Sequence, residues 1–271
     1  MKGNTGLNEG SYIDAHLHVD LYAPEERESL LNGAFHNGIA AVVAVSMHLD
    51  SCKINREIAA RHPGRVIPAY GFHPEQHLPG EGQLQELVQW IRERHQAEEV
   101  FAIGEVGLPY YSRMEAREAG VDFDESPYLL ALDQFAALAA ELDRPVVLHA
   151  VYEDGDKACD ILEKHGVRRA HFHWFKGSEA TLERMRAAGY FLSVTPDVLY
   201  EEEIRQMVSA YPIELMMTET DGPWPFEGPF AGQITKPAMV RDVAMAIASL
   251  KDLPAGEAAS ILLHNARDFY S

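Results

Sequence analysis

The sequence has few cysteines and no long apolar run. Its two cysteines, Cys52 and Cys159, lie far apart and outside any CxxC pattern, which excludes a disulfide framework and a zinc ribbon. No apolar run approaches membrane-spanning length, and no apolar signal core precedes Tyr12. We therefore predict a soluble, unsecreted, cytoplasmic protein with no membrane partner.

Basic residues are also scarce. The chain has 23 lysines and arginines against 42 acidic residues, so its formal net charge is -19. A field of this sign repels a polyanion at long range, which disfavours tight binding of duplex DNA. It does not exclude metal-assisted cleavage of phosphodiesters, because divalent cations invert the electrostatics of a site locally.

No internal repeat or interdomain linker stands out in the 271 residues, and we predict a single domain over residues 1–271. Short β-branched or apolar runs alternate with longer amphipathic stretches, which is typical of repeated β-α units around a parallel sheet. The eight candidate strands are Tyr12–His16, Ile39–Ser46, Val66–Gly71, Val100–Glu105, Pro145–His149, Ala170–His173, Tyr190–Val194 and Glu214–Glu219.

Helical spacing of apolar residues is clearest in Gln83–His95 and Tyr128–Leu142. Eight strands with intervening helices in a chain of this length favour an α/β fold of the TIM type, a (β/α)8 parallel barrel. The charged stretch Tyr111–Glu125 follows the fourth strand as a mobile lid or a solvated excursion, of which we favour the excursion. Gly222–Pro237 follows the last strand and is predicted to be a long loop.

A motif at the first strand indicates metal binding. In Asp14-Ala15-His16-Leu17-His18, the two histidines are two residues apart, so on a strand their side chains point to the same side and can hold one ion. A His-x-His pair also occurs by chance, and the motif alone leaves that alternative open.

Further residues of types that can bind a metal ion fall at the C-terminal ends of other predicted strands. They are Glu105, His149, His173 and Asp221. In barrel enzymes the active site lies at this end of the strands. Buried histidines and carboxylates are costly without partners, and shared metal ions would explain several of them converging on one site.

These strings, in this order, resemble the TatD family of metal-dependent hydrolases, which belongs to the amidohydrolase-like barrels. The resemblance spans nearly the whole chain. Its segments are Asp14–His18, Gly71–Pro74, Ile103–Leu108, His149, His173–Ser178, Thr218–Pro223 and Asn265–Arg267.

The resemblance implies a binuclear centre. His16, His18 and Asp221 would hold one divalent ion, His149 and His173 would hold the second, and Glu105 would bridge both. Histidine and carboxylate ligands suit zinc, our first choice, and also nickel, manganese or iron, while magnesium is a further alternative.

Such a centre would activate a water molecule for attack on phosphorus or a carbonyl carbon. Asp221 is the candidate general base, Glu105 is counted with the catalytic groups as the bridging ligand, and His73 is placed near the substrate by the resemblance, where it would contact a phosphate or assist the leaving group. Glu219 is predicted to hold a metal ligand or a nearby backbone group in position without binding the metal itself.

Aromatic residues are predicted at the same end of the barrel. Tyr110, Trp174 and Trp224 are our candidate substrate contacts, since their rings could stack on nucleobases. The alternative is that these rings only pack the wall of the pocket.

The sequence departs from the family pattern around the expected substrate site. Gly107-Leu108-Pro109 stands for the usual Gly-Leu-Asp, and His73-Pro74-Glu75 for His-Pro-His. The arginine common after the fifth strand is missing from Ala150-Val151-Tyr152, and Thr235-Lys236-Pro237 replaces Asn-Glu-Pro. The metal ligands are thus retained while substrate recognition has changed.

The sequence is compatible with three functions. The first is a phosphodiesterase or DNase-like hydrolase that acts on single-stranded nucleic acid or small phosphoesters. The second hydrolyses an amide, lactone or ester of a small molecule, which the acidic surface and the lost basic groups favour. The third is a non-catalytic metal-binding or partner-binding barrel, against which the complete ligand set argues.

Overall fold

The computed structural model describes residues 12–271. The segment before Tyr12, which bears on the predicted absence of a signal sequence, lies outside the described residues. Among the residues described, none of the helices combines the length and the apolar character needed to cross a bilayer.

All eight predicted strands are present, with ends shifted by at most two residues. They are β1 (Tyr12–Leu17), β2 (Ile39–Ala44), β3 (Val66–Tyr70), β4 (Ala102–Gly107), β5 (Val146–His149), β6 (Ala170–Phe172), β7 (Phe191–Val194) and β8 (Met216–Thr218). Their order in the sheet is their order in the chain.

At least one helix follows each strand. The helices are α1 (Pro24–His36), α2 (Leu49–Arg61), α3 (Glu81–Gln96), α4 (Tyr110–Glu118), α5 (Ser126–Leu142), α6 (Glu153–His165), α7 (Glu179–Ala188), α8 (Glu202–Ala210), α9 (Val240–Leu250) and α10 (Ala255–Phe269). A parallel sheet in chain order with helices between its strands has the topology of the predicted TIM-type (β/α)8 fold.

The chain divides into two compact units. Residues 12–43 and 194–269, with Ser271, form the first, and residues 44–193 with Tyr270 form the second. The single domain predicted for residues 1–271 stays a prediction.

In the first unit, β8 lies beside β1, and α10 packs against both strands. The Thr218 hydroxyl donates to the backbone carbonyl of Ile13 at 2.9 Å. The side-chain amide of Asn265 donates to the carbonyls of Ile213 at 2.7 Å and Met216 at 2.8 Å. Asn265 therefore links α10 by hydrogen bonds to the start of β8, the strand that precedes Asp221.

In the second unit, β3 to β7 are parallel neighbours. Residues 146–149 of β5 are all buried, as expected for a strand covered on both faces. Glycine permits the closest approach between β4 and β5. A Cβ atom on Gly107 would lie 1.9 Å from the carbonyl oxygen of His149, so no larger residue fits there without moving the strand.

The second unit also contains a buried polar group that is separate from the predicted ligands. His171 on β6 pairs with the Tyr270 hydroxyl through Nδ1 at 2.6 Å and with the Ser193 hydroxyl through Nε2 at 2.5 Å. His171 and Ser193 are fully buried. Both ring nitrogens thus have partners, which makes burial of the imidazole tolerable.

The charged stretch after β4 differs from both sequence-based alternatives. Its first part is the helix α4, which buries none of its residues but is attached by ion pairs. Arg113 on α4 forms a bidentate pair with the buried carboxylate of Asp154, and it also pairs with Glu125 and Glu153. The stretch is therefore a docked surface helix followed by a turn, because a buried carboxylate needs a cation. Gly222–Pro237 is a loop with short 3-10 turns, as predicted.

Candidate metal centre

The first group of candidate ligands lies in the first unit and consists of His16, His18 and Asp221. One ligand atom from each lies within 4.8 Å of the others, and all three side chains are buried. The Asp221 Oδ1 atom is 3.4 Å from His16 Nε2 and 3.5 Å from His18 Nε2. The alternation along β1 gives the two histidines their common side, as the His-x-His spacing predicted.

Backbone hydrogen bonds hold the two chain segments that carry this group. The amide of Asp221 donates to the carbonyl of His16 at 2.9 Å, and the amide of His18 donates to the carbonyl of Gly222 at 2.9 Å. Asp14 adds a side-chain connection, because its carboxylate accepts from the amide of Thr220 at 2.9 Å and from the Thr220 hydroxyl at 2.5 Å. Burial raises the pKa of Asp14 well above its usual range.

The second group lies in the second unit and consists of Glu105, His149 and His173. These three buried residues likewise bring one ligand atom each within 4.8 Å of the others. Glu105 Oε1 is 2.7 Å from His173 Nε2 and 3.1 Å from His149 Nδ1, and these two nitrogens are 3.1 Å apart. Strand β4 carries Glu105, β5 ends at His149, and the amide of His173 donates to the carbonyl of Leu148 at 3.1 Å.

His73 borders the second group. Its Nε2 atom is 3.5 Å from Glu105 Oε1, and its Nδ1 atom accepts a hydrogen bond from the amide of Glu75 at 3.1 Å. Because Nδ1 accepts, the neutral ring carries its proton on Nε2, on the side of Glu105. His73 is therefore placed to donate a hydrogen bond close to the second group.

Glu75 is the residue of this region that sequence reasoning missed. It was noted only as a departure from the family pattern, yet its Oε1 atom lies 3.3 Å from His149 Nε2. Burial opposes ionisation, but the hydrogen bonds with His149 and Ser112 outweigh it and lower the pKa of Glu75 to about 2. Burial lowers the pKa of His149, whereas Glu105 and Glu75 raise it, and the net direction is upward.

The other predicted site residues have varied settings. Glu219 is fully buried. Tyr110 packs against Tyr152, with ring centroids 4.9 Å apart, and the ammonium group of Lys176 lies 5.5 Å from the ring centroid of Trp174. Trp224 is 49% exposed, which is unusual for so large an apolar ring. Whether these residues contact a substrate stays a prediction.

Both groups have the chemistry of a metal site. Each combines two imidazoles with one carboxylate, which is a donor set that suits zinc and similar divalent ions. Each is buried, and buried ionisable groups in such close contact need compensating charge. The bridging of two ions by Glu105 and the catalytic roles of Asp221, Glu105 and His73 stay predictions.

Comparison with known proteins supports this chemistry. The family model described as TatD related DNase matches residues 13–271. An uncharacterised metal-dependent hydrolase of Haemophilus influenzae is 36% identical over 95% of this chain and 98% of its own length. Human deoxyribonuclease TATDN3 is 27% identical over 94% of this chain and 92% of its own length.

The fold agrees as well. The crystal structure of YJJV, a TatD homologue from Escherichia coli K12, matches with a TM-score of 0.82 and 26% identity, covering 95% of this chain and 97% of that one. The family match and the similarity of fold thus confirm the resemblance that the motifs indicated. The chain belongs to the TatD-related DNase family and is a metal-dependent hydrolase.

Proposed function

We propose that the chain hydrolyses phosphodiester bonds in single-stranded nucleic acid or small phosphoesters, with two divalent metal ions, zinc being the first choice. The observation that carries the proposal is the pair of buried ligand groups, each with two histidines and one carboxylate. The match to a DNase family and the likeness to deoxyribonuclease TATDN3 support the phosphodiester as the bond that is cleaved.

In this proposal His16, His18 and Asp221 hold one ion, His149 and His173 hold the other, and Glu105 is shared. When bound, such ions supply Lewis-acid activation of water and neutralise the charge that develops on the substrate. Asp221 then acts as the general base. Its carboxylate takes the proton of the attacking water and returns it to the leaving oxygen.

His73 has the second catalytic role in the proposal. With its proton on Nε2, it donates a hydrogen bond to a phosphoryl oxygen or to the leaving group as negative charge accumulates there. The amide of Glu75 on Nδ1 keeps the ring in this tautomer. Tyr110, Trp174 and Trp224 would provide ring faces on which bases stack.

Hydrolysis of an amide, lactone or ester of a small molecule is the second candidate. The observation that favours it is Glu75, an ionised carboxylate at 3.3 Å from His149 in place of the family's histidine. Together with the net charge of -19, this carboxylate disfavours a long polyanion as substrate. Tight binding of duplex DNA is not expected under either candidate.

Chelator-treated protein reloaded with zinc, manganese or magnesium provides the test. Single-stranded DNA, RNA and bis(p-nitrophenyl) phosphate serve as phosphoesters, and a set of esters and lactones serves the second candidate. Asp221→Asn should lower turnover by about 10²–10⁴-fold, as expected for loss of a general base. Asp242→Asn, the same change at an exposed position on α9, should leave turnover unchanged.

The outcomes separate the candidates. Cleavage of phosphodiesters that depends on metal and on Asp221 supports the first. Cleavage of esters or lactones alone replaces it with the second. No cleavage of any substrate by metal-loaded protein refutes both and leaves the non-catalytic alternative.

A further inference from the structure

The side chain of Glu75, from the loop after β3, caps the N-terminus of α4. Its carboxylate accepts hydrogen bonds from the amides of Tyr111 and Ser112, each at 2.8 Å, and from the Ser112 hydroxyl at 2.5 Å. Amides in the first turn of a helix have no partner within the helix, and the helix dipole favours negative charge at this end. The carboxylate is thus fixed in place by three donors, and its side chain is only 15% exposed.

The same carboxylate faces His149. Its Oε1 atom lies 3.3 Å from Nε2, and an ionised carboxylate can only accept a hydrogen bond. The other ring nitrogen, Nδ1, faces Glu105 Oε1 and His173 Nε2, each 3.1 Å away. When Nδ1 gives its lone pair to a metal ion at this point, the ring carries its proton on Nε2, where Glu75 accepts it.

We propose that Glu75 is a positioning residue, which holds His149 by Nε2–H so that Nδ1 is directed at the metal ion shared with Glu105 and His173. Carboxylates that accept the second N–H of a ligating histidine orient the ring and increase its basicity as a ligand. The inference rests on the proposed function in one respect, because it takes the second group to be a metal site.

The helix α4 contributes to this arrangement. Arg113, one residue after Ser112, is held by the buried carboxylate of Asp154 through two hydrogen bonds at 2.8 Å and 3.0 Å. The N-terminus of α4 therefore cannot shift without breaking a buried ion pair. Glu75 thus links a well-anchored helix to one candidate ligand, which explains why an acidic residue is accommodated at this position.

Metal affinity tests the proposal independently of catalysis. Zinc is titrated into chelator-treated wild type, Glu75→Ala and Glu75→Gln in competition with a chromophoric chelator. Loss of a carboxylate behind a ligating histidine typically weakens metal binding about 10–100-fold, and we expect this for one of two zinc equivalents in Glu75→Ala. Glu75→Gln should show a smaller loss, because an amide oxygen in the place of Oε1 still accepts from Nε2–H and from the Tyr111 amide. The –NH2 group in the place of Oε2 cannot accept from the Ser112 amide, and the negative charge is lost.

Two comparisons show that the effect is specific. The other zinc equivalent, assigned to His16, His18 and Asp221, should keep its affinity in both variants. Glu118→Gln, which removes a carboxylate from an exposed position of the same helix, should bind both equivalents like the wild type. Circular dichroism confirms folding, and Glu75→Gln carries the test if Glu75→Ala does not fold.

The Nε2 proton of His149 provides a second readout. Nitrogen-15 spectra of histidine-labelled, zinc-saturated protein should show this proton protected from exchange with water in the wild type and exchanging faster in Glu75→Ala. The proposal is overturned if Glu75→Ala binds both zinc equivalents with wild-type affinity, if the exchange of its His149 Nε2 proton is unchanged, or if the wild type binds fewer than two equivalents. A wild type that binds zinc as expected but cleaves nothing refutes the proposed function and leaves this inference standing.

Discussion

Asp14 is expected to hold together the two segments that carry the first ligand group. Its carboxylate accepts from the amide and the hydroxyl of Thr220, and more weakly from the amide of His16 at 3.4 Å. Asp14, His16 and Thr220 are fully buried, so water cannot replace an acceptor that is removed. We therefore predict that Asp14→Ala destabilises the protein and weakens metal binding next to it.

The size of the effect follows from the donors left behind. Each buried donor without a partner costs about 1–3 kcal/mol, and Thr220 contributes two such donors, its amide and its hydroxyl. The lost side-chain volume adds to this, so the free energy of unfolding should fall by about 3–5 kcal/mol, which is in the upper part of the range for single substitutions. At roughly 2–4 °C per kcal/mol, Tm should fall by about 6–20 °C.

Asp14→Asn is the matched control. Its amide oxygen still accepts from the amide of Thr220, and its amide group can donate to the Thr220 hydroxyl, which also accepts hydrogen bonds. We expect a loss of about 1 kcal/mol for this variant, the net value of a typical hydrogen bond. Thr220→Val should lose about 1–3 kcal/mol, because it removes the hydroxyl that donates to the buried Oδ2 atom of Asp14.

Urea unfolding of chelator-treated protein, followed by circular dichroism, measures these differences without a contribution from bound metal. Zinc titration of the same variants then reports whether Asp14→Ala weakens the site of His16 and Asp221. If Asp14→Ala unfolds within about 1 kcal/mol of the wild type, our assignment of Asp14 as the connection between these segments is wrong.

Three further predictions concern the second unit. Burial raises the pKa of the Cys159 thiol to about 12, so at pH 8 roughly one molecule in 10⁴ carries the reactive thiolate, and the native protein should react with a disulfide reagent only very slowly at this position. Tyr270→Phe removes the hydroxyl that pairs with His171 Nδ1, which should reduce the free energy of unfolding by about 1–3 kcal/mol in urea. Gly107→Ala places a Cβ atom 1.9 Å from the carbonyl oxygen of His149, so it should separate β4 from β5 and abolish one zinc equivalent in titration.

Each of these predictions has a control. The cysteine should react rapidly once the protein is unfolded in urea, and rapid reaction of the native protein would contradict the inference. Ser271→Ala, at the exposed neighbour of Tyr270, should not change the free energy of unfolding. An equal loss in Ser271→Ala and Tyr270→Phe would show that the loss does not come from the hydrogen bond between Tyr270 and His171. Gly256 on α10 has room for a Cβ atom, so Gly256→Ala should fold and bind zinc normally. Normal zinc binding by Gly107→Ala would contradict the prediction that its Cβ atom displaces β5.

The strands could be predicted because their signal is local. Runs such as Ile39–Ala44 and residues 146–148 are apolar or β-branched throughout, and burial of both faces of a parallel strand selects that composition. The candidate ligands were predictable for a related reason. Glu105 and His149 lie on strands whose direction fixes where their side chains point, so that identifying the strand nearly identifies the ligand.

Contacts that are remote in sequence leave no such signal. His171 and Tyr270 are separated by 99 positions. Tyr270 follows the last residue of α10, and neither the period of β6 nor that of α10 indicates that the two side chains meet. The attachment of α4 was missed likewise, because the charges of Tyr111–Glu125 are equally typical of a solvated stretch. Only the position of Asp154 at the start of α6 shows that Arg113 is held in place.

At Glu75 the sequence and the structure give different information. As a residue in a loop it follows no period, and its comparison with the family pattern indicated only that a histidine had been replaced. The structure shows that the glutamate has two sets of contacts. The N-terminus of α4 stabilises its carboxylate, and the same carboxylate lies beside His149 Nε2. A substitution beside the candidate metal ligands can therefore change the substrate preference and the support of a ligand at once, so assays of Glu75 variants need metal affinity and turnover measured separately.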